Sequence, residues 1–525
     1  MEASRDVPES SGRRVGGIAR VGARYGFGFV FGRRWLPRRR REEPGRVGTR
    51  LRLSLEELGP TFAQLGRFLS ARRDLLPPDV AAEVGRARVL ASSVAPAEAR
   101  AYVERELGNT LERLFLEFEE APVRVGPFTQ SHRAVLPGGR PALVVFNRTG
   151  VRRDLLAMRP VADLTRRRLG DGLPLDPSAT VAEYTAHVTQ RRDMYFAAQI
   201  SRRLEELEDL GLLIPHVYRG YSTGRCITFE APAEVLPLTD THYREVSATL
   251  VRLALTEGVF LADLERLRFA LDGSTGRLWL ADPTEVFALD PERLRGVAEI
   301  LAAVRRGDVD GAVRALPLAG SFVPADASDL RRELRETLGT LGGPLWREHS
   351  LEKARDAGLE AVRRGGARLH VEVAQVAAFL VEAERFGAER QTATAASAAE
   401  DLIARYRNPA YVAGRLARRV VQPDAFADYP RQIHALLDEL KDGEVEVRFR
   451  HAGLDDLISK VDILANRLVF ALLIAALIMG SSILGIFLEG GSKFLGVSIF
   501  GLIGFVFAAI LGLLLLIGII RSGRL

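Results

Sequence analysis

Cys226 is the single cysteine, so no disulfide within the chain and no cysteine-based metal site can form. In the run GRCITFE it reads as a small buried residue of a strand and not as a reactive thiol. The eight histidines are scattered and lack the close spacing of metal ligands. Counting from Met1, the first lysine is Lys353, so every basic side chain before it is an arginine. A phosphate held by a side-chain cation in that long segment would meet a planar fork, which is not interchangeable with a lysine ammonium.

The chain of 525 residues is too long for one compact core, and two soluble units plus a membrane part are expected. With 47% hydrophobic and 27% charged residues the bulk reads as folded. A net charge of +6 suits either nucleic acid or an anionic membrane. No zinc-finger spacing and no aromatic–basic RNA-binding pattern occurs, which sets nucleic acid aside. Arginine-rich, lysine-poor usage suggests a high-GC bacterium, and the Arg- and Gly-rich start is not expected to be a cleavable signal peptide.

The membrane is favoured by the end of the chain. Residues 468–488 and 494–520 are uncharged apolar runs, and about 20 apolar residues suffice for a helix to cross the hydrocarbon core. The short connection Glu489–Lys493 predicts an antiparallel hairpin. Lys460, Arg467, Arg521 and Arg524 place both ends in the cytoplasm by the positive-inside rule. Gly504, Ala508 and Gly512, with Ser481 and Gly485, recur at the four-residue spacing that lets helices approach closely. A second membrane contact is read at residues 16–36. There Tyr25, Phe27, Phe29, Phe31 and Trp35 lead into Arg33, Arg34 and Arg38–Arg41, which is either an interfacial segment or a solvated basic linker.

Between these ends the period of the pattern sets the elements. Residues 1–15 are polar and expected to be unstructured. Residues 51–120 read as helices, with Ser54 and Glu57 as a capping box and a further helix over Asn109–Phe118. Ser131–Leu136 and Pro141–Phe146 read as a hairpin around Pro137–Arg140. Residues 214–230 and 267–281 each read as a strand pair, and 183–212, 240–262, 290–308, 325–340 and 350–390 as helices. The fold class is α+β. The expected division is a basic segment 1–50, a helical extension 51–120, a mixed domain 121–345, a helical region and linker 346–465, and the hairpin 466–525.

The stretch LGPTFAQLGRFLSARRDLLPPDV at 58–80 is very similar to the signature opening of the UbiB (AarF-type) family of atypical kinases. The resemblance continues through PFTQSHRA at 127–134, IPHVYRGYSTGRCITFE at 214–230, GVFLAD at 258–263, LWLADP at 278–283 and the closing hairpin. It implies a protein-kinase-like fold, with a small-sheet N-lobe and a helical C-lobe. It also implies adenine nucleotide with Mg²⁺, ATPase activity, and a role with isoprenoid quinone lipids at a membrane.

By that resemblance Asp263 is the catalytic-loop aspartate and Asp282 a metal ligand, while Arg124, Gln130 and Arg148 are the candidates beside the nucleotide, with Arg133 a further cation. The rest of the pattern departs. Val145 holds the position of the strand lysine, and Gln64-Leu65-Gly66-Arg67 replaces the Lys-x-Gly-Gln tetrad. Arg124-Val125-Gly126-Pro127 stands for the Ala-rich nucleotide loop, and Arg268 replaces the metal-ligand Asn. A guanidinium cannot bind Mg²⁺. Glu265 and Glu285 could add carboxylate, and Glu183 is the nearest fit to the helix glutamate that pairs with the lysine. Three readings stay open: a membrane pseudokinase that scaffolds, regulates or handles isoprenoid lipid, with protein partners or as a homo-oligomer; an altered ATP-dependent enzyme; or a structural adaptor without a ligand.

Overall fold

The computed structural model describes residues 11–28 and 44–408 apart from 171–172, 174, 208–209, 342–345 and 347, together with Tyr411 and short pieces at 478–479, 493–494, 497–498 and 506–509. Two compact units divide the chain, Met1–Ala417 and Arg418–Leu525.

The first unit opens on helices α1 (Ser11–Arg24), α2 (Pro44–Leu58), α3 (Pro60–Ser70) and α4 (Pro78–Gly85). Residues 11–15, expected to be unstructured, are thus helical. Ile18 of α1 is buried with Leu55, Phe62 and Phe68, and the Arg14 guanidinium lies over the Phe62 ring. Part of the segment read as interfacial therefore packs inside the protein, while Phe29, Phe31, Trp35 and the arginine run lie outside the described residues. Ser54 does not cap a helix but sits within α2. Its hydroxyl donates to the Leu51 carbonyl at 2.7 Å, so the helix continues, and Gly59 at φ +107° separates α2 from α3.

Helices α5 (Pro96–Leu107) and α6 (Leu111–Leu114) lead into an antiparallel sheet of β1 (Glu117–Val125), β2 (Thr129–Leu136), β3 (Arg140–Asn147) and β4 (Cys226–Glu230), in the order β1-β2-β3-β4. The helix expected over Asn109–Phe118 is cut to one turn, because Leu116 already donates to the Val135 carbonyl at 2.7 Å. The predicted hairpin is β2–β3, turned by Gly138 and Gly139 at φ +93° and +76°, where only glycine is unstrained. Edge strand β1 carries Pro122 and register shifts on both sides of it, the kind of bulge that re-aims a following side chain, here Arg124.

Helices α7 (Val151–Leu169), α8 (Pro177–Arg191) and α9 (Met194–Glu205) come before β4 in the chain. Asp176 and Asp193 cap α8 and α9, each accepting two backbone N–H bonds. Of the strand pair expected at 214–230, only β4 is a strand; Val217 reaches Phe229 as a single bridge.

The helical part holds β5 (Val235–Leu236), α10 (Asp240–Thr256), β6 (Val259–Leu261), β7 (Phe269–Asp272), β8 (Leu278–Leu280), β9 (Val286–Ala288), α11 (Pro291–Arg306), α12 (Val309–Leu318), α13 (Ser328–Leu341), α14 (Leu351–Arg364), α15 (Val371–Gly387) and α16 (Thr392–Arg407). The strand pair predicted at 267–281 is β7–β8, and the helix expected to reach 262 ends at α10, before β6 pairs with β9. One core joins Leu250 and Val251 of α10 to Leu294 of α11, Phe379 and Leu380 of α15 and Leu402 of α16. Helices α14–α16, expected to lie in a separate region, thus share the core of the kinase-like part. The hydroxyl and indole anchors are satisfied too: Ser247 donates to the Ala383 carbonyl and Trp346 to that of Thr392.

The predicted membrane hairpin lies almost wholly outside the described residues. Among those described, no helix is long and apolar enough to cross a membrane. Lys493–Phe494 (β10) and Val497–Ser498 (β11) pair antiparallel, so residues read as the start of the second span are strand.

Candidate functional site

Short segments converge between the sheet and the helical part. Arg124 is the next-to-last residue of β1, Thr129 starts β2, and Arg191 is the last residue of α8. Asp263 follows β6, Arg268 precedes β7, and Asp282 and Glu285 lie between β8 and β9. The sequence separation spans 161 residues from Arg124 to Glu285. Only the completed fold brings them together.

Asp282 is saturated. One oxygen accepts from Arg124 Nε at 2.9 Å and Nη2 at 2.8 Å; the other accepts from the Thr284 N–H at 2.9 Å and its hydroxyl at 2.5 Å. A carboxylate has about four lone-pair directions, and all four of these are taken. Glu285 accepts from the Thr129 hydroxyl at 2.7 Å, from Arg124 at 3.5 Å and from Arg191 Nε at 3.2 Å. Asp263 accepts from Gln64 Nε2 at 2.7 Å, from Arg191 at 2.5 Å and from Arg67 at 3.3 Å. Gln64 and Arg67, the two departures from the tetrad that the resemblance led one to expect, thus both hold Asp263. Arg191 also lies over the Phe128 ring, 4.6 Å from its centroid.

Arg268 is fully buried and meets carbonyls instead of carboxylates. It donates to Ala262 O at 2.5 Å, to Asp263 O at 3.3 Å, to Asp282 O at 2.8 and 3.1 Å, and to Thr284 O. This guanidinium, at a position where the resemblance led one to expect an Asn, ties the Ala262–Asp263 backbone to that of Asp282 and Thr284.

The charges close on themselves. Arg124, Arg191 and Arg268 face Asp263, Asp282 and Glu285, with Arg67 and Glu265 at the rim. Burial opposes the charged form of every carboxylate here, but the guanidiniums outweigh it. Asp282 is held low mainly by Arg124, Glu285 mainly by Arg191, and Asp263 by Arg191 and Arg67. Burial also opposes the charge on Arg124, and Asp282 and Glu285 more than restore it. Glu382 of α15 is the exception. Burial and then the Asp263 charge push its carboxyl up, and it accepts from the Leu264 N–H at 2.9 Å. Among the described residues, no group of three or more His, Cys, Asp or Glu side chains is arranged to hold a metal ion. As arranged, this donor set does not fit Mg²⁺, since guanidiniums occupy the positions a cation would need.

The other sequence candidates do not join the cluster. Gln130 turns away: its Oε1 accepts from the Val94 N–H at 2.7 Å and its amide nitrogen meets His132 Nε2 at 2.9 Å. Arg148 donates to the Gly126 carbonyl at 3.0 Å, and Arg133 is exposed. Val145, at the strand-lysine position, is buried with Leu143, Met194, Ile227 and Phe229. Glu183 pairs with Arg72 at 2.9 Å, and Arg72 also forks onto Asp74 at 3.0 and 3.1 Å. A Cβ at Gly126 would stand 2.7 Å from Arg124 Nη1, so the chain's own cation fills the space above the nucleotide-loop position.

The ABC1 atypical kinase-like domain family matches residues 89–316, and the ABC1/UbiB kinase-like C-terminal domain family matches residues 452–521. The chain belongs to the UbiB family of atypical kinase-like proteins. Among UbiB relatives, the probable protein kinase UbiB of Marinobacter nauticus is 32% identical over 218 residues, 40% of each chain. That of Azotobacter vinelandii is 32% identical over 238 residues, 44% of each chain. The chain thus matches less than half the length of these curated relatives. A Mycobacterium tuberculosis protein solved with erythromycin is 20% identical, covering 52% of this chain and 70% of its own, with a TM-score of 0.34, a weak likeness.

Arg191, Thr129, Thr284 and Glu382 were not singled out in the sequence. Arg191, Thr129 and Glu382 partner residues far along the chain, Thr284 turns back onto Asp282 two residues before it, and Arg191 is one of several arginines near helix ends. The only available signal was charge arithmetic: Arg124 and Arg268, both at family site positions, needed counter-charges.

Proposed function

We propose that this UbiB-family chain is a pseudokinase whose nucleotide cleft is closed from within by arginine–carboxylate pairs. The observation that carries the reading is Asp282, with every lone pair occupied by Arg124 and Thr284. A kinase-type site holds its aspartates for Mg²⁺ and developing phosphate charge; here internal cations fill that role permanently. The protein would then act as a scaffold, regulator or lipid-handling accessory near isoprenoid-quinone metabolism, with lipid or protein partners. Support for that setting comes from the UbiB relatives alone.

Membrane anchoring by the C-terminal hairpin is part of the proposal. Its support is the two apolar runs, both inside the match to the C-terminal domain family. With β11 ending at Ser498, residues 499–520 remain, still about the 20 a span needs. Carbonate extraction that releases the full chain from membranes would reject the anchor.

ATP turnover by the detergent-purified chain tests the pseudokinase reading. No Mg²⁺-dependent turnover and no thermal shift with Mg-ATP are expected. Turnover that Asp282→Asn abolishes would overturn it in favour of an altered ATPase, in which nucleotide displaces Arg124 from Asp282.

A further inference from the structure

Helices α11, α12 and α16 enclose a pocket of about 290 Å³ that shares no residue with the cleft. Arg295, Arg306, Arg314 and Arg407 line it, against only two carboxylates, Glu299 and Asp308. Both carboxylates are engaged. Glu299 pairs with Arg295 at 2.8 Å, and Asp308 caps α12 by accepting from the Gly311 N–H at 2.8 Å. Arg295 is further fixed over the Tyr406 ring, 5.7 Å from its centroid, and the Tyr406 hydroxyl donates to the Pro291 carbonyl at 2.9 Å. One wall is therefore rigid.

The remaining three guanidiniums have no ion pair or hydrogen bond among the described residues. The contrast with the adjacent residue is direct: Arg305 on α11 pairs with Glu400 of α16, whereas Arg306 faces the pocket with no carboxylate. Arg306 and Arg407 sit in the last turns of their helices, where the helix dipole favours a cation. That accounts for two of the three. Arg314, on the exposed face of α12, brings a third guanidinium to the same concave surface, which focuses a positive potential that attracts an anion.

We propose that this pocket binds a phosphate-bearing ligand. The phosphate oxygens lie between Arg306, Arg314 and Arg407, whose forked donors match them, and the organic part rests against Tyr406 and Ile403. The volume is at the small end of ligand sites, roughly 300–1,000 Å³, which suits a phosphomonoester or a phosphate headgroup and excludes a large nucleotide.

The test is a thermal titration of the detergent-purified full chain at fixed ionic strength. The probes are inorganic phosphate and dioctanoyl phosphatidic acid, against chloride and dioctanoyl phosphatidylcholine. A saturable rise in melting temperature is expected with at least one phosphate probe: with inorganic phosphate for a soluble ligand, with the lipid alone for a headgroup. Arg306→Gln/Arg314→Gln should weaken that apparent affinity at least about tenfold. Arg305→Gln, which alters a neighbouring arginine that does not line the pocket, should leave it unchanged. No saturable response to either probe, or an equal response in the double variant, overturns the proposal. Both replaced side chains are exposed, so the double variant should melt within a few degrees of the parent without ligand.

Discussion

Replacing Arg124 by methionine removes the cation that holds Asp282. Two donors at 2.8–2.9 Å to Asp282, one at 2.8 Å to Thr129 and the pairing with Glu285 all disappear together. Methionine keeps much of the volume, so the lost term is chiefly electrostatic. Arg268 cannot take over, because its donors are committed to carbonyls. Breaking a buried pair by deleting one partner costs about 3–5 kcal/mol. At roughly 2 °C per kcal/mol for a large domain, the melting temperature should fall by about 6–10 °C. The pH dependence distinguishes this from a packing defect. In the parent the Asp282 carboxyl is held below its ordinary value, with the Arg124 charge overcoming burial. Its contribution is complete above the unfolded pKa of about 3.9 and is lost as pH falls through the folded value. Without Arg124, burial is opposed only by the Arg268 charge and the two Thr284 hydrogen bonds, so the folded pKa moves up from its place in the parent. The penalty then grows as pH rises through it. Arg124→Met should therefore recover part of its deficit relative to the parent at about pH 5, compared with pH 7.5. Adding Asp282→Asn should remove that pH dependence. Melting curves at both pH values decide the matter: a deficit under about 2 °C, or one that is the same at both, would refute the reasoning.

Gly126→Ala places a Cβ 2.7 Å from Arg124 Nη1 and should cost about 1–3 kcal/mol by overpacking, read as a lower denaturant midpoint. Arg268→Asn restores the family's residue type but leaves the carbonyls of Ala262, Asp282 and Thr284 short of donors. It should destabilise by about 1–3 kcal/mol per group left unpaired, and yield no Mg²⁺-dependent ATP turnover. Val145→Lys puts an ammonium among Leu143, Met194 and Phe229; a sharp loss of soluble, folded protein is expected, and recovery of Mg-ATP binding by thermal shift would contradict the site as described. Acidification of the parent should lower stability from about pH 6, because burial holds the His187 imidazole down to about 3 while the unfolded chain takes up its proton, and lower it further below about pH 4 as the depressed carboxyls of Asp263, Asp282 and Glu285 protonate; a gain below about pH 4 would contradict their ion pairing.

The elements that were legible in the sequence are those whose signal is local. The β2–β3 hairpin showed itself through Gly138 and Gly139, and β7–β8 through the turn at Asp272–Gly276. Ser54 and Glu57 have the spacing of a capping box, yet the buried apolar face of α2 carries the helix through them. β1 was invisible because its bulge at Pro122 breaks the alternation that identifies a strand. The same limit applies at the site. Asp263, Asp282, Arg124 and Arg268 could be found by position in a motif. Arg191 and Glu285 could not be joined, because nothing in a one-dimensional pattern records which guanidinium meets which carboxylate.

Asp263 and Glu285 are two of the three non-glycine residues with positive φ among the described residues, at +49° and +55°. Such a conformation costs on the order of 1 kcal/mol or more and persists only where the surroundings over-determine it. Both side chains end on Arg191, which sits 72 residues from one and 94 from the other. Arg191 is thus placed to hold both strained loops at once, and Arg268 ties their backbones from beneath. A cation that entered this site would have to displace Arg191 and Arg124 from their buried carboxylates, leaving Arg124 only Glu265 at the rim. The cost of expelling those guanidiniums, and not the absence of aspartates, is what sets this cleft apart from a metal site.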